Sequence, residues 1–105
     1  MAERVTVSLD EGVADVRLNR PEKLNGLDLA MFEALVAAGA TLAADRSLRA
    51  VVLSGAGRAF SAGLDFASFT ARRAEGREVK DLLEREAGSP ANFAQQAAYV
   101  WTALP

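Results

Sequence analysis

The sequence contains no cysteine and no histidine in its 105 residues. The absence of cysteine excludes disulfide bonds, thiolate metal sites and a cysteine nucleophile within this chain. The absence of histidine removes the commonest general base, and with it a Ser-His-Asp triad or a histidine-ligated metal. These two absences restrict the possible chemistry more than the net charge does.

Long hydrophobic runs and an excess of positive charge are also missing. Apolar runs such as residues 50–53 fall far short of the ~20 residues that span a membrane. No signal-peptide pattern stands ahead of the alternating segment that begins at Val5, so a cytoplasmic location is expected. The formal net charge is −2 and the basic residues are scattered, which argues against a nucleic-acid-binding protein.

A regular order of strands and helices can be predicted from the residues that are present. Alternation over residues 5–9 and 14–18, with Gly12 between them, predicts a β-hairpin in which Gly12 has a positive φ. Asp28 is the predicted N-cap of a helix that ends near Asp45. The apolar run over 48–53 predicts a buried strand, parallel to its neighbour because a helix precedes it.

The last third of the chain is more polar. Residues 70–89 are expected to form a solvated helix or a mobile loop, and Ser89-Pro90 predicts the start of a final helix over 93–104. These elements leave apolar faces uncovered, and the strand at 48–53 lacks a second neighbour. We therefore expect residues 1–105 to be an α/β domain that is interrupted at Pro105 rather than finished.

The stretch from Ala50 to Asp65 gives the clearest indication of chemistry. A strand runs into a glycine-rich turn, then into small residues that let a ligand approach the backbone, then into a predicted helix start. Such a start presents unpaired amide N–H groups that favour a phosphate, a carboxylate or an oxyanion. This stretch shares Gly55 and Gly57 with a dinucleotide-binding fingerprint, but it has Phe60 where the fingerprint has its third glycine. The Gly-Lys-Ser/Thr of a P-loop is also absent.

Two motifs resemble the crotonase (enoyl-CoA hydratase/isomerase) family. The first, LNRPEKLNGL at residues 18–27, is similar to the family's loop between the first hairpin and the first helix. The second, AVVLSGAGRAFSAGLD at residues 50–65, is similar to its oxyanion-hole segment. Their order and spacing match the family over residues 4–105. The resemblance implies the ββα spiral of the ClpP/crotonase fold, truncated after its N-terminal half.

The resemblance also implies roles for individual residues. The backbone around Lys23 and Leu24 would contact the pantetheine and phosphate portion of CoA, and the main chain of Ala62 would contact the adenine end. The N–H of Leu64 would be one of two donors to the thioester oxygen. The second donor and the acid–base carboxylates would lie beyond Pro105. Coenzyme A would be part of the substrate, with no permanently bound cofactor and no metal.

The chemistry of a thioester explains why main-chain groups suffice. Removing a proton next to the thioester, or adding water to its conjugated double bond, places negative charge on the carbonyl oxygen. A fixed N–H donor aimed at that charge is worth about 3–4 kcal/mol. The expected function is that of an enoyl-CoA hydratase or isomerase. The resemblance implies a homotrimer or a dimer of trimers, and we expect residues 1–105 alone to be inactive and poorly folded.

Alternatives stay open at this stage. A non-catalytic acyl-CoA-binding or scaffolding relative would share these residues, as would a thioester hydrolase, a decarboxylase or a dehalogenase; an α/β domain unrelated to CoA is a further possibility. Asp65 could bind substrate, but we favour a helix cap. Phe66 and Phe69 could line an acyl pocket, although their spacing is more typical of packing. Lys23 and Arg58 could contact CoA phosphates or be solvated loop charges.

Overall fold

The structure, a computed structural model, describes residues 3–74 and 93–104. Its elements in chain order are β1 (Val5–Asp10), β2 (Val13–Leu18), a 3₁₀ turn (Pro21–Lys23), α1 (Leu29–Ala43), β3 (Ala50–Gly55), α2 (Phe66–Ala74), α3 (Phe93–Tyr99) and a second 3₁₀ turn (Val100–Ala103). The strands form one sheet in the order β1-β2-β3. β2 is antiparallel to β1 and parallel to β3, which confirms the predicted hairpin, parallel strand and α/β class.

The hairpin turns through two residues with positive φ, Glu11 at 51° and Gly12 at 83°. A two-residue turn of this kind matches the twist of the flanking strands, and the glycine was predicted for that reason. The carbonyl oxygen of Gly12 accepts a hydrogen bond of 2.7 Å from the N–H of Arg49. The turn therefore also guides the chain into β3 beside β2.

Helix α1 covers one face of the sheet. Asp28 caps it as predicted, because its carboxylate accepts a 2.9 Å hydrogen bond from the N–H of Met31. Buried residues recur along the helix at the three- and four-residue spacing of a single face. They are Met31, Phe32, Leu35, Gly39 and Leu42. This face and the inward side chains of β2, namely Ala14, Val16 and Leu18, belong to one hydrophobic core.

The prediction that β3 is a buried strand was wrong. β3 lies at the edge of the described sheet and starts at Ala50 rather than at residue 48. Val51 and Leu53 pack against the core, whereas Val52 is 53% exposed. The apolar run suggested burial on both faces, but α1 covers only one of them among the residues that the structure describes.

The final helix was predicted over residues 93–104, and the structure confirms its first part. α3 ends at Tyr99 and gives way to the 3₁₀ turn that starts at Val100. The predicted helix start at residues 89–90 lies outside the described residues. The stretch expected to be a solvated helix or a mobile loop over 70–89 is described only as far as Ala74, where α2 ends. None of the described helices has the length and apolar character needed to cross a membrane.

Candidate functional site

The loop at 18–27 and the segment at 56–65 lie against each other, joined by hydrogen bonds. The N–H of Ala62 donates to the carbonyl oxygen of Leu24 at 2.9 Å, and the N–H of Ala56 donates to that of Leu18 at 2.8 Å. Ser61 Oγ donates to the carbonyl oxygen of Asn25 at 2.8 Å. The two motifs of the sequence therefore form one continuous piece of structure.

At the end of this piece, Leu27 and Leu64 form an isolated parallel bridge. The N–H of Leu27 donates to the carbonyl oxygen of Gly63 at 2.7 Å, and the N–H of Asp65 donates to that of Leu27 at 3.0 Å. The Gly63 carbonyl and the Leu64 N–H belong to the same trans peptide unit, so they point in opposite directions. The Leu64 N–H thus points away from Leu27, and it has no hydrogen-bond acceptor within the described part of the chain.

Gly63 gives this segment its shape. Its φ is 90°, a conformation that side chains disfavour, and apart from its two chain neighbours no described residue has an atom within 4 Å of the position that a Cβ would occupy. It also lines an apolar cavity of about 430 Å³, together with Leu27, Phe60, Ser61 and residues of α3. The main chain next to the free Leu64 N–H is therefore open to an approaching molecule.

Asn25 is a residue whose role the sequence reasoning missed. It is completely buried, with φ at 55°, a conformation that asparagine tolerates better than most residues. Its Oδ1 accepts from the N–H of Arg20 at 2.7 Å. Its Nδ2 donates to the carbonyl oxygens of Ala56 and Ala59 at 2.9 and 2.8 Å. The signal in the sequence was indirect, because a glycine-rich turn beside a core leaves buried carbonyls that need a donor.

A cluster of charges lies behind the bridge. Arg20 is only 9% exposed, and its Nη1 donates to Asp65 Oδ2 at 2.8 Å and to the carbonyl oxygen of Gly26 at 3.2 Å. Its Nη2 lies 3.7 Å from Asp28 Oδ2, which also accepts from Arg4 Nη2 at 2.9 Å. Sequence reasoning identified both aspartates as helix caps but did not identify the arginines that join them.

The two aspartates are held in their charged form. The hydrogen bond from Arg20, followed by that from the N–H of Ser68, lowers the pKa of Asp65. Burial raises the pKa of Asp28, but the hydrogen bonds from Arg4 and Met31 outweigh it, so the pKa is lowered overall. Carboxylates fixed in this way are poorly suited to carry a proton at neutral pH. Their positions favour a structural role.

The residues predicted to bind CoA lie along the same piece of structure. Lys23 and Ala62 are exposed, Leu24 is partly buried with φ at 51°, and Phe66 is 74% exposed at the start of α2. Asp65 accepts a 3.1 Å hydrogen bond from the N–H of Ser68, which is the capping arrangement that we favoured. The roles of these residues toward CoA stay predictions.

The remaining charged groups of the site are the loop cations Lys23 and Arg58 and the acidic side chains, which are candidate metal ligands. Lys23 and Arg58 are exposed, and their side chains form no ion pair with another described residue. Within residues 3–74 and 93–104, no cluster of three or more histidine, cysteine, aspartate or glutamate side chains is arranged to hold a metal. At this site the described residues therefore offer a ligand main-chain groups, the cations Lys23 and Arg58, and apolar surface.

Comparison with known proteins identifies the family of this chain. The sequence model of the enoyl-CoA hydratase/isomerase family matches residues 8–95. The chain belongs to this family. The predicted resemblance to the crotonases is thereby confirmed. A hydroxycinnamoyl-CoA hydratase-lyase from Pseudomonas fluorescens is 34% identical over 84 residues, which are 79% of this chain and 30% of that protein.

Two further members of the family show the range of the match. The mitochondrial Delta(3,5)-Delta(2,4)-dienoyl-CoA isomerase of Mus musculus is 43% identical over 58 residues, which are 55% of this chain and 18% of that protein. The crystal structure of the enoyl-CoA hydratase EchA8_6 from Mycobacterium marinum matches with a TM-score of 0.76 and 29% identity, over 97% of this chain and 44% of that one. The fold is thus of the crotonase type, and the chain spans less than half the length of each of these proteins.

Proposed function

We propose that this chain provides the CoA-binding loop and one oxyanion-hole donor of an acyl-CoA-processing enzyme of the enoyl-CoA hydratase/isomerase type. The observation that carries the proposal is the N–H of Leu64. The hydrogen bond between Leu27 and the Gly63 carbonyl fixes its direction, and none of the described residues accepts from it. A fixed and unsatisfied donor directly after Gly63, which lines the cavity, suits a developing negative charge.

The reaction step that this donor would assist is formation of a thioester enolate. The negative charge gathers on the thioester oxygen, and a donor already in position needs no reorganisation to stabilise it, which is worth about 3–4 kcal/mol. The lowered pKa values of Asp28 and Asp65 keep both carboxylates ionised. The groups that transfer protons, and the second donor, would therefore come from other residues, as the resemblance to the family implies.

CoA would lie along the edge formed by Lys23, Leu24 and Ala62. The hydrogen bond from the N–H of Ala62 to the carbonyl oxygen of Leu24 holds the two loop segments of this edge together. Their main-chain groups are therefore already in fixed positions when a ligand arrives. Lys23 and Arg58 are exposed cations that form no ion pair with another described residue, and such charges suit the phosphates of CoA. Phe66 presents an exposed aromatic surface at the same end of the segment.

The proposed reaction is hydration or double-bond isomerisation of an enoyl-CoA. The names of the relatives include both a hydratase-lyase and an isomerase, and an enolate is an intermediate that suits either outcome. The resemblance to the family supports the further proposal of a homotrimer or a dimer of trimers, and a cytoplasmic location is proposed with it.

Isothermal titration calorimetry of the protein expressed from its complete coding sequence tests the proposal. CoA and crotonyl-CoA should bind with dissociation constants below 1 mM, equivalent to more than about 4 kcal/mol of binding free energy. ATP serves as the control for non-specific attraction of phosphates to Lys23 and Arg58, and it should bind more weakly. Absence of binding by both CoA compounds at millimolar concentration would contradict the proposal.

A further inference from the structure

The buried guanidinium of Arg20 joins the starts of two helices. Asp28 caps α1 and Asp65 caps α2. Arg20 lies between them, 2.8 Å from the carboxylate of Asp65 and 3.7 Å from that of Asp28. A buried cation must be paired to be tolerated, and the planar fork of arginine can address two partners in different directions. Arg20 therefore connects elements that belong to the two separate motifs.

The residue next to Leu64 is the one that Arg20 holds. Asp65 is fixed by its N–H to Leu27, and its carboxylate is fixed by Arg20 and by the N–H of Ser68. On the other side of Leu64 stands Gly63, whose lack of a side chain gives the backbone wide conformational freedom. The peptide unit that carries the Leu64 N–H is therefore held at two points, by the hydrogen bond from Leu27 to the Gly63 carbonyl and by the adjoining Asp65.

We propose that Arg20 is a positioning residue for the oxyanion donor. Its ion pair with Asp65 keeps the Leu64 N–H in the direction in which it meets the thioester oxygen. This inference rests on the proposed function, and it adds a residue that itself touches neither substrate nor reacting atoms. Arg20 would then matter for turnover while lying behind the surface that binds the ligand.

Asp65→Asn separates the ion pair from the helix cap. Asparagine caps a helix about as well as aspartate and has the same size, so the hydrogen bond from Ser68 can be kept while the charge facing Arg20 is lost. Asp15→Asn is the matched control, because Asp15 pairs with Arg17 at 3.4 Å on the exposed face of the sheet. Arg20→Lys is the second variant, since it keeps the charge but loses the fork.

Two measurements are made on the wild type and each variant: amide hydrogen exchange, and kinetics with crotonyl-CoA. In Asp65→Asn and Arg20→Lys, exchange should become about tenfold faster at the hydrogen-bonded amides of Leu27 and Asp65, with β1 and β2 unchanged. In the same variants kcat should fall roughly tenfold while KM stays within about twofold, because the donor acts in the transition state. Asp15→Asn should match the wild type in both measurements.

The inference is overturned if an active wild type is matched by an equally active Asp65→Asn variant. It is also overturned if exchange at Leu27 and Asp65 is unchanged, or if exchange accelerates equally throughout the sheet, since either result would mean that the ion pair does not hold this segment in particular. A wild type that does not turn over crotonyl-CoA contradicts the proposed function instead. The exchange rates at the two amides then decide alone whether Arg20 holds the segment.

Discussion

At the scale of single residues, the site depends on side chains that bond to main-chain groups rather than to a ligand. Asn25 satisfies two carbonyls of the turn that follows β3 and one amide of the first motif. Arg20 and Asp65 form a further link between the two motifs, next to the bridge between Leu27 and Leu64. The proposed chemistry depends on a backbone N–H, and these buried polar contacts hold the main chain that carries it in position.

Asn25→Asp tests the importance of this connection with almost no change in shape. The substitution replaces an amide donor by a carboxylate oxygen facing two carbonyls, so the free energy of unfolding should fall by about 3 kcal/mol or more. Asn19→Asp is the control, because Asn19 makes a single exposed bond to the Glu3 carbonyl and should lose less than about 1 kcal/mol. Urea unfolding measures both, and equal losses would contradict the role given to Asn25.

The lowered pKa of Asp65 predicts how stability depends on pH. A carboxyl whose pKa is lower in the folded than in the unfolded protein stabilises the fold above its ordinary value of about 4, and this contribution disappears as the pH falls through the lowered value. Asp65→Asn should therefore melt below the wild type at pH 7, and the gap should narrow as the pH falls below the ordinary carboxyl value of about 4. Melting curves followed by circular dichroism measure the gap; a gap that stays constant over this range would contradict the ion pair with Arg20.

The residue scale also shows what the sequence could predict. Asp28 and Asp65 were recognisable as caps because their partners, Met31 and Ser68, lie three residues further along the chain. The contacts that join Asn25 and Arg20 to the second motif reach across 31 to 45 residues, and no local pattern specifies such partners. The role proposed for the Leu64 N–H came from the family resemblance, and no local pattern of residues predicted its direction.

At the scale of elements, local patterns predicted the hairpin, α1 and the parallel strand, because turn residues, caps and periodicity act within a few positions. Two errors arose where a neighbouring element decides. β3 was taken as buried, yet it alternates because α1 covers only one face within the described part of the molecule. The last helix was taken as continuous, yet it tightens at Val100, where it meets α1.

The contact between α1 and the last turn can be tested at Gly39. A Cβ there would lie 2.6 Å from Val100 Cγ2 and 2.8 Å from its Cβ. Gly39→Ala should improve helix propensity by about 1 kcal/mol but lose roughly 1–3 kcal/mol through overpacking, so no net stabilisation is expected. Adding Val100→Ala should relieve the clash, and thermal denaturation of the two single variants and the double variant measures the coupling. A Gly39→Ala variant stabilised by the full propensity gain would contradict the packing.

At the scale of the whole molecule, apolar surface remains on both sides of the described sheet. Val7 and Leu9 are 48% and 47% exposed beside α1, and Val52 is 53% exposed on β3. Surfaces of this kind usually pack against further chain segments or subunits. The comparison agrees with this view, because the solved relative extends well beyond the part that the chain matches. No pattern within these residues specifies what covers them.

The central claim is that the N–H of Leu64, and not its side chain, acts on the thioester. Comparing Leu64→Pro with Leu64→Ala in the turnover of crotonyl-CoA tests it most directly, because proline deletes an N–H that has no acceptor within the described residues. Leu64→Pro should lower kcat at least about 100-fold, whereas Leu64→Ala, assayed below its melting temperature, should lose far less. Equal losses in the two variants, or near-normal turnover by Leu64→Pro, would contradict the account.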